Sequence, residues 1–215
     1  MSQRAKQPPA EPPLSSGAPT SLPIVGERRE RADAARNRER VLRAARELFA
    51  ERGVDVVTME EIARRAGVAK GTVFHRFGDR SGLALALLDE HERAIQDAIV
   101  HGEPPLGPGA PPLERLLALL DALLDLSERH GDLLYAAEIN KAGARYATGA
   151  YGAWHRHVAV LLGELGVEGD PDVLAHAVLA PLGAELQRHL RAELGLRAEQ
   201  IRAALHALAR SLAGA

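Results

Sequence analysis

From about residue 31 onward, apolar residues recur at three- and four-residue intervals, and nowhere do they alternate over the length of a strand, so the pattern predicts an all-α protein. Residues 31–52 place Val41, Leu42, Ala45, Leu48 and Phe49 on one face of a first helix. Thr58 and Glu61 form a T-x-x-E capping box that can satisfy two orphan amides at the start of a second helix. That helix turns Met59, Ile62, Ala63 and Ala66 inward and Glu60, Arg64 and Arg65 toward water. Gly67 suits a left-handed helix terminus, Val68 is an apolar plug, and a short helix over 69–76 follows after a three- to four-residue turn. A further helix occupies residues 81–100.

Residues 101–112, HGEPPLGPGAPP, form a Pro/Gly linker that no helix can cross. Beyond it the pattern is helical again. Leucines repeat over 113–130, and shorter helices are expected over 132–142 and 149–165. Asp170-Pro171, an acid at the N-cap followed by proline at the first position, opens a helix expected to reach about 194, and a last one spans 197–212. At the other end, residues 1–26 hold Pro8, Pro9, Pro12, Pro13, Pro19 and Pro23 among Ser, Gly and Ala. That mixture cannot bury a core, and a disordered tail is expected.

The chemistry concentrates on the short helix. Val73 and Phe77 fall on its packing side, which leaves Lys70, Gly71, Thr72, Phe74 and His75 outward. A cation, a hydroxyl, an imidazole and a residue without a side chain make a poor core. They suit a surface laid into a DNA major groove, with Gly71 permitting close backbone approach. Two short helices joined at a glycine also occur in helical proteins that never touch DNA, and Phe74 could instead pack on the first helix.

The longer context narrows the choice. Residues 68–77, Val-Ala-Lys-Gly-Thr-Val-Phe-His-Arg-Phe, fit V-x-K-G-T-x-aromatic-x-x-F. Leu48-Phe49-Ala50-Glu51-Arg52-Gly53 closes the preceding helix, and Asp79-Arg80 opens the following one. In these residues and in helix order the chain resembles the TetR family of bacterial transcriptional regulators. The resemblance covers about residues 31–90, and beyond them only the helical layout is similar.

The resemblance implies an N-terminal three-helix DNA-binding domain with a helix-turn-helix over 27–80 and a helical regulatory and dimerisation domain over 81–215. It also implies a homodimeric repressor released from a palindromic double-stranded operator by a small, largely apolar effector, with no cofactor and no catalysis. Thr58, Lys70, Thr72, His75 and Arg80 match positions at which family members touch phosphates or bases, and Gly71 matches a point of close backbone approach. Ala69 stands where a serine often caps the recognition helix. Phe74 stands where a tyrosine often gives its hydroxyl to a phosphate.

Composition adds limits. The formal net charge is −2, which argues against a nonspecific nucleic-acid coat, but residues 1–90 hold 16 Lys+Arg against 13 Asp+Glu while residues 91–215 hold 11 against 16. Arg28, Arg29, Arg31, Arg36, Arg38, Arg40 and Arg43 could extend the cationic surface as an arm, or could line a solvated helix face, since acids are interspersed. The absence of cysteine excludes disulfides, thiolate zinc sites and cysteine catalysis. There is no G-x-S-x-G, H-E-x-x-H or phosphate loop to support an enzyme. No apolar run approaches the ~20 residues of a membrane span and no hydrophobic signal core is seen, so a cytoplasmic protein is expected.

The last two helices carry surplus apolar surface. Val178, Leu182, Leu186 and Leu190 on one, with Ile201, Leu205, Leu208 and Leu212 on the other, are the expected dimer interface; packing within one chain is the alternative. For an effector the candidates are Tyr135, Glu138, Asn140, Trp154 and His176, although Trp154 serves a core equally well. His155 and His157, two apart on a helix, point to different sides and cannot hold one metal, so no metal is expected. A ligand-independent DNA- or partner-binding helical protein with a filled C-terminal core remains the other reading.

Overall fold

The computed structural model describes residues 25–139 and 142–214, with side chains from Asp33 onward. The expected tail over 1–26 lies almost wholly outside these residues, as does Asn140. Every regular element among the described residues is helical. In chain order the helices are α1 Val25–Arg52, α2 Met59–Ala66, α3 Lys70–Phe77, α4 Arg80–His101, α5 Pro112–Glu138, α6 Gly149–Glu164, α7 Pro171–Leu179, α8 Ala184–Arg188 and α9 Ala198–Leu212. The described residues up to Arg36 fall in one unit and those from Asn37 onward in another, which holds the helix-turn-helix and the buried core found among the described residues.

Local signals explain most boundaries. The Thr58 box is present in full: the hydroxyl accepts from the Glu61 amide at 3.2 Å, and the Glu61 carboxylate accepts from the Thr58 amide at 2.9 Å. Gly67 closes α2 at φ +64°, and Asp79 caps α4 by accepting from the Gly82 amide at 2.9 Å. Asp170 caps α7 by accepting from the Asp172 amide at 2.9 Å. α3 has no side-chain cap, because Ala69 has nothing to offer at that position.

Two elements differ from expectation, and one boundary falls where it was expected. α1 begins at Val25, six residues before the apolar pattern sets in, since Glu and Arg favour a helix by propensity without needing an apolar face. The two helices expected over 113–142 meet within α5 at a kink where the sequence placed their boundary: His130, with φ −132° and ψ 26°, leaves the helical region just before Gly131. The single helix expected over 170–194 is broken. Pro181 has no amide to continue α7, a 3₁₀ turn Ala180–Leu182 follows, Gly183 is extended, and α8 restarts and widens into a π-helical turn His189–Glu193.

Burial separates two apolar clusters. Val41, Leu48, Ile62, Val73, Leu83 and Leu88 sit in the first, which joins α1 to α4. Leu116, Leu120, Leu124, Val158, Leu162, Leu179 and Leu205 sit in the second, which joins α5, α6, α7 and α9. α5 belongs to both, because its bend sends Ala136 and Ala137 into the first cluster while Leu116 to Leu126 fill the second. Ser81 at the start of α4 donates to the Ala136 carbonyl at 2.9 Å. The two segments of α5, on either side of its kink, therefore touch different cores.

Candidate nucleic-acid interface

α2 and α3 cross through the Gly67 turn and are held from behind by α1. Arg40 Nη2 donates to the Gly67 carbonyl at 3.0 Å, and Arg65 bridges to Glu51 at 3.1 Å. Val73 and Phe77 are buried, so α3 is anchored by one face only. Its other face is open: Lys70, Gly71, Thr72, Phe74 and His75 are all exposed, with Phe74 at 39%. Phe74 does not pack on α1. Instead Lys70 Nζ stands 5.5 Å from its ring centroid and also pairs with Glu60.

The remaining expected DNA contacts have other partners in this structure. The Thr58 hydroxyl donates to Glu61 at 2.9 Å within the capping box. Arg80 Nη1 donates to the carbonyls of Val54 and Asp55 at 3.2 and 2.7 Å, which ties the loop between α1 and α2 to the start of α4. A Cβ added to Gly71 would meet nothing within 4 Å, so no neighbour within the chain requires glycine there. Of the expected cationic arm, Arg36 pairs with Asp33, and the side chains of Arg28, Arg29 and Arg31 lie outside the described residues.

Electrostatics stiffen the reading head. The Arg52 guanidinium, 2.5 Å from Glu61, holds that carboxyl down to about 2, helped by the Thr58 amide and hydroxyl. Lys70 likewise lowers Glu60. Glu92 on α4 behaves oppositely: burial first, then Asp89 and Glu138, push its carboxyl up to about 7.

Of the effector candidates, Glu138 and Trp154 line one small void, whereas Tyr135 and His176 are not among its walls. Tyr135 lies under the Arg188 guanidinium, 4.3 Å from ring centroid to cation. Glu138 accepts from Arg145 at 3.2 Å and from the Ala184 amide at 2.9 Å, a structural role at the start of α8. Trp154 is buried in the second core beside a void of about 30 Å³, room for one water. His176 is exposed, with Nδ1 2.7 Å from the Tyr151 hydroxyl.

The larger cavity, about 800 Å³, lies elsewhere, at the α5 bend between α1, α4 and α8. Among its walls are Phe49, Leu87, Ser127, His130, Gln187 and Arg191, none of which the sequence singled out as effector-binding. Gln187 and Arg191 are four apart and so share a helix face, a signal present in the sequence. It was indistinguishable from a solvated face until α8 packed against α5.

The expected dimer residues divide in two. Val178, Leu182, Ile201 and Leu205 are at most 5% exposed and already fill the core of one chain. Leu186 and Leu208 are each 42% exposed, and Leu190 and Leu212 are half-buried. Arg202, bonded to Asp121 and Asp125 at 2.7 Å each, fixes α9 against α5. Among the described residues no helix is long and apolar enough to cross a membrane, and no cluster of metal-ligating side chains is found.

Comparison with known proteins agrees with this architecture. The profile of bacterial regulatory proteins of the tetR family matches residues 41–87, from α1 through α3 into α4. The HTH-type transcriptional regulator SAR2658 of Staphylococcus aureus is 30% identical over 56% of this chain, a match that spans 64% of its own length. The transcriptional regulator AcuR of Cereibacter sphaeroides is 29% identical over 88% of this chain and 92% of its own. The fold is that of Thermus thermophilus FadR, a TetR-family transcriptional repressor solved in complex with lauroyl-CoA, with TM-score 0.58, 22% identity, and coverage of 80% of this chain and 92% of that one. The helix-turn-helix with its capped α2 and open α3, the profile match upon it and the similarity to AcuR along most of the chain converge: residues 41–87 are a DNA-binding domain of the tetR family of bacterial regulatory proteins.

Proposed function

We propose that the protein is a DNA-binding transcriptional repressor, not an enzyme, that acts in the cytoplasm as a homodimer on a palindromic operator and is released by a small, largely apolar effector. The observation that carries the reading is the face of α3. Lys70, Gly71, Thr72, Phe74 and His75 are exposed together on a helix anchored from behind by Val73 and Phe77. That is how a recognition helix enters a major groove, with Lys70 and His75 supplying donors and Gly71 letting the backbone approach. Residues 27–80 serve as the reading head and 81–215 as the regulatory and dimerisation part. Two heads related by a twofold axis would meet half-sites about 34–36 Å apart.

The effector half of the reading is supported by the cavity at the α5 bend, whose volume suits a small molecule. Because α5 contributes to both cores, a ligand that altered its bend would move the head. A coupling of ~1–3 kcal/mol is enough for a 5- to 150-fold change in affinity. Repressors among the structural neighbours support the sign of the response. A ligand-independent regulator would call for a filled interior, which the tight packing around Trp154 offers but the α5 cavity does not.

Fluorescence anisotropy on DNA from upstream of the protein's own gene, against scrambled competitor and increasing salt, tests the reading. Saturable, competitor-resistant binding that weakens with salt is expected. Equal, weak binding to both DNAs would sink it.

A further inference from the structure

We propose that the cavity at the α5 bend is a site for a small organic monocarboxylate, apolar along its body, with Arg191 as the anchor of its anionic end. The proposal rests on the regulator reading and names the chemistry of its effector. The cavity measures about 800 Å³, and Phe49, Val54, Leu87 and Leu133 give it apolar walls. Its other walls are polar and carry both signs of charge, with Glu90, Glu128 and Asp132 among the acids, and some of the polar atoms around it lack a partner. Ser127 Oγ, Gln187 Oε1, and Arg191 Nε and Nη2 are buried without a hydrogen-bond partner among the described residues, and all three side chains line the cavity. Ser127 and Gln187 are only 4% and 2% exposed, so bulk water does not readily satisfy them. Buried polar groups left unpaired are rare in folded proteins, and several around one cavity point to a missing partner.

The geometry of the donors selects that partner. Nε and Nη2 form one edge of the guanidinium, two parallel donors that match the two oxygens of a carboxylate. The other cations at the cavity are engaged: Arg46 with Glu90 at 4.0 Å, Arg129 with Asp125 at 3.8 Å, and Arg188 over Tyr135. Gln187 Nε2 donates to the Pro181 carbonyl at 2.7 Å, which fixes the amide so that Oε1 is presented as an acceptor. An acceptor one helical turn from Arg191 opposes a phosphate dianion and tolerates a single carboxylate. It also suits a hydroxyl or N–H elsewhere on the ligand.

The position gives binding a consequence. Phe49 and Val54 belong to the core of the reading head, whereas Ser127 and Gln187 belong to α5 and α8, so one ligand touches both halves of the molecule.

The test is isothermal titration of the full-length protein, without DNA, with octanoate, 1-octanol and octylamine. Octanoate is expected to bind at least tenfold more tightly than the other two. Arg191→Gln is expected to cost octanoate at least tenfold while leaving 1-octanol binding and helical circular dichroism unchanged. Arg191→Lys should recover only part of the loss, because an ammonium lacks the two-donor edge. Arg156→Gln, an exposed site on α6, should have no effect. Absence of octanoate binding, equal affinity for octanoate and 1-octanol, or octanoate binding that survives Arg191→Gln in a folded variant would each overturn the proposal. Octanoate binding through Arg191 with operator affinity unchanged would uphold the site and remove the switch. Octanoate binding by a protein with no specific operator would uphold the site and remove the regulator reading.

Discussion

Gly71 separates the proposed DNA reading from folding. Its Cβ direction is empty and its backbone is helical, so Gly71→Ala should raise stability in urea by about 0.5–1 kcal/mol through helix propensity. The same methyl faces the proposed groove, and operator affinity should fall at least tenfold; unchanged affinity would remove α3 as the reading helix. Glu92 sets a pH dependence. Its folded carboxyl titrates near 7, above the ordinary 4.5, so the folded state keeps a proton that the unfolded state has already lost. Stability is therefore full below about pH 4.5 and declines as pH rises to about 7. Glu92→Gln should flatten that decline and stabilise the protein at pH 8 by about 1–2 kcal/mol after allowance for the water that still reaches the site. A pH profile of urea midpoints unchanged by the substitution would contradict this. Glu61 has the reverse sign, with stability present above the ordinary carboxylate range and lost as pH falls toward about 2. The roles of Thr58, Gly67 and Asp79 were legible in the sequence because each acts on backbone within three or four residues. Arg145 was not. Its bonds reach the Leu179 and Leu182 carbonyls, 34 and 37 residues away, and no local pattern marks such a partner.

Elements differ in how firmly they are closed. α3 lacks a side-chain cap, and Ala69 already has the extended backbone of an N-cap, φ −66° and ψ 141°. Ala69→Ser should therefore stabilise the protein by about 0.5–2 kcal/mol in denaturant titration without altering the exposed face. The break between α7 and α8 is the opposite case. Proline and an extended glycine leave carbonyls open, and Arg145, only 13% exposed, closes them while pairing with Glu138. Removing it strands a largely buried carboxylate as well as two carbonyls, and Arg145→Ala should cost about 2–4 kcal/mol, read as a lowered urea midpoint. A loss under about 1 kcal/mol would show that water replaces the guanidinium. Periodicity found the helices and the break at 130, but it ran a single helix through 181. A proline can kink a helix or end it, and a Gly131 without a proline can bend one, depending on what the flanking residues pack against.

At the scale of the assembled protein, the exposed leucines of α8 and α9 are the surface proposed to meet a second copy. Leu186→Glu with Leu208→Glu should give a monomer in analytical ultracentrifugation with unchanged helicity, and should lower operator affinity at least a hundredfold as the second half-site is lost. A persistent dimer would place the interface on another face. The sequence was sufficient for the all-α class, the helix-turn-helix, its outward residues and the kinship they carry. Each of these depends on spacing of three or four residues and on caps that close within one turn. Packing between distant segments settled the rest. It decided which apolar residues of the last two helices were used up inside one chain, since Val178, Leu182, Ile201 and Leu205 meet the core only after α5 and α6 are in place. It also placed the larger cavity at the bend of α5 and left only a small void beside Glu138 and Trp154, because a void is space left between elements and has no sequence of its own.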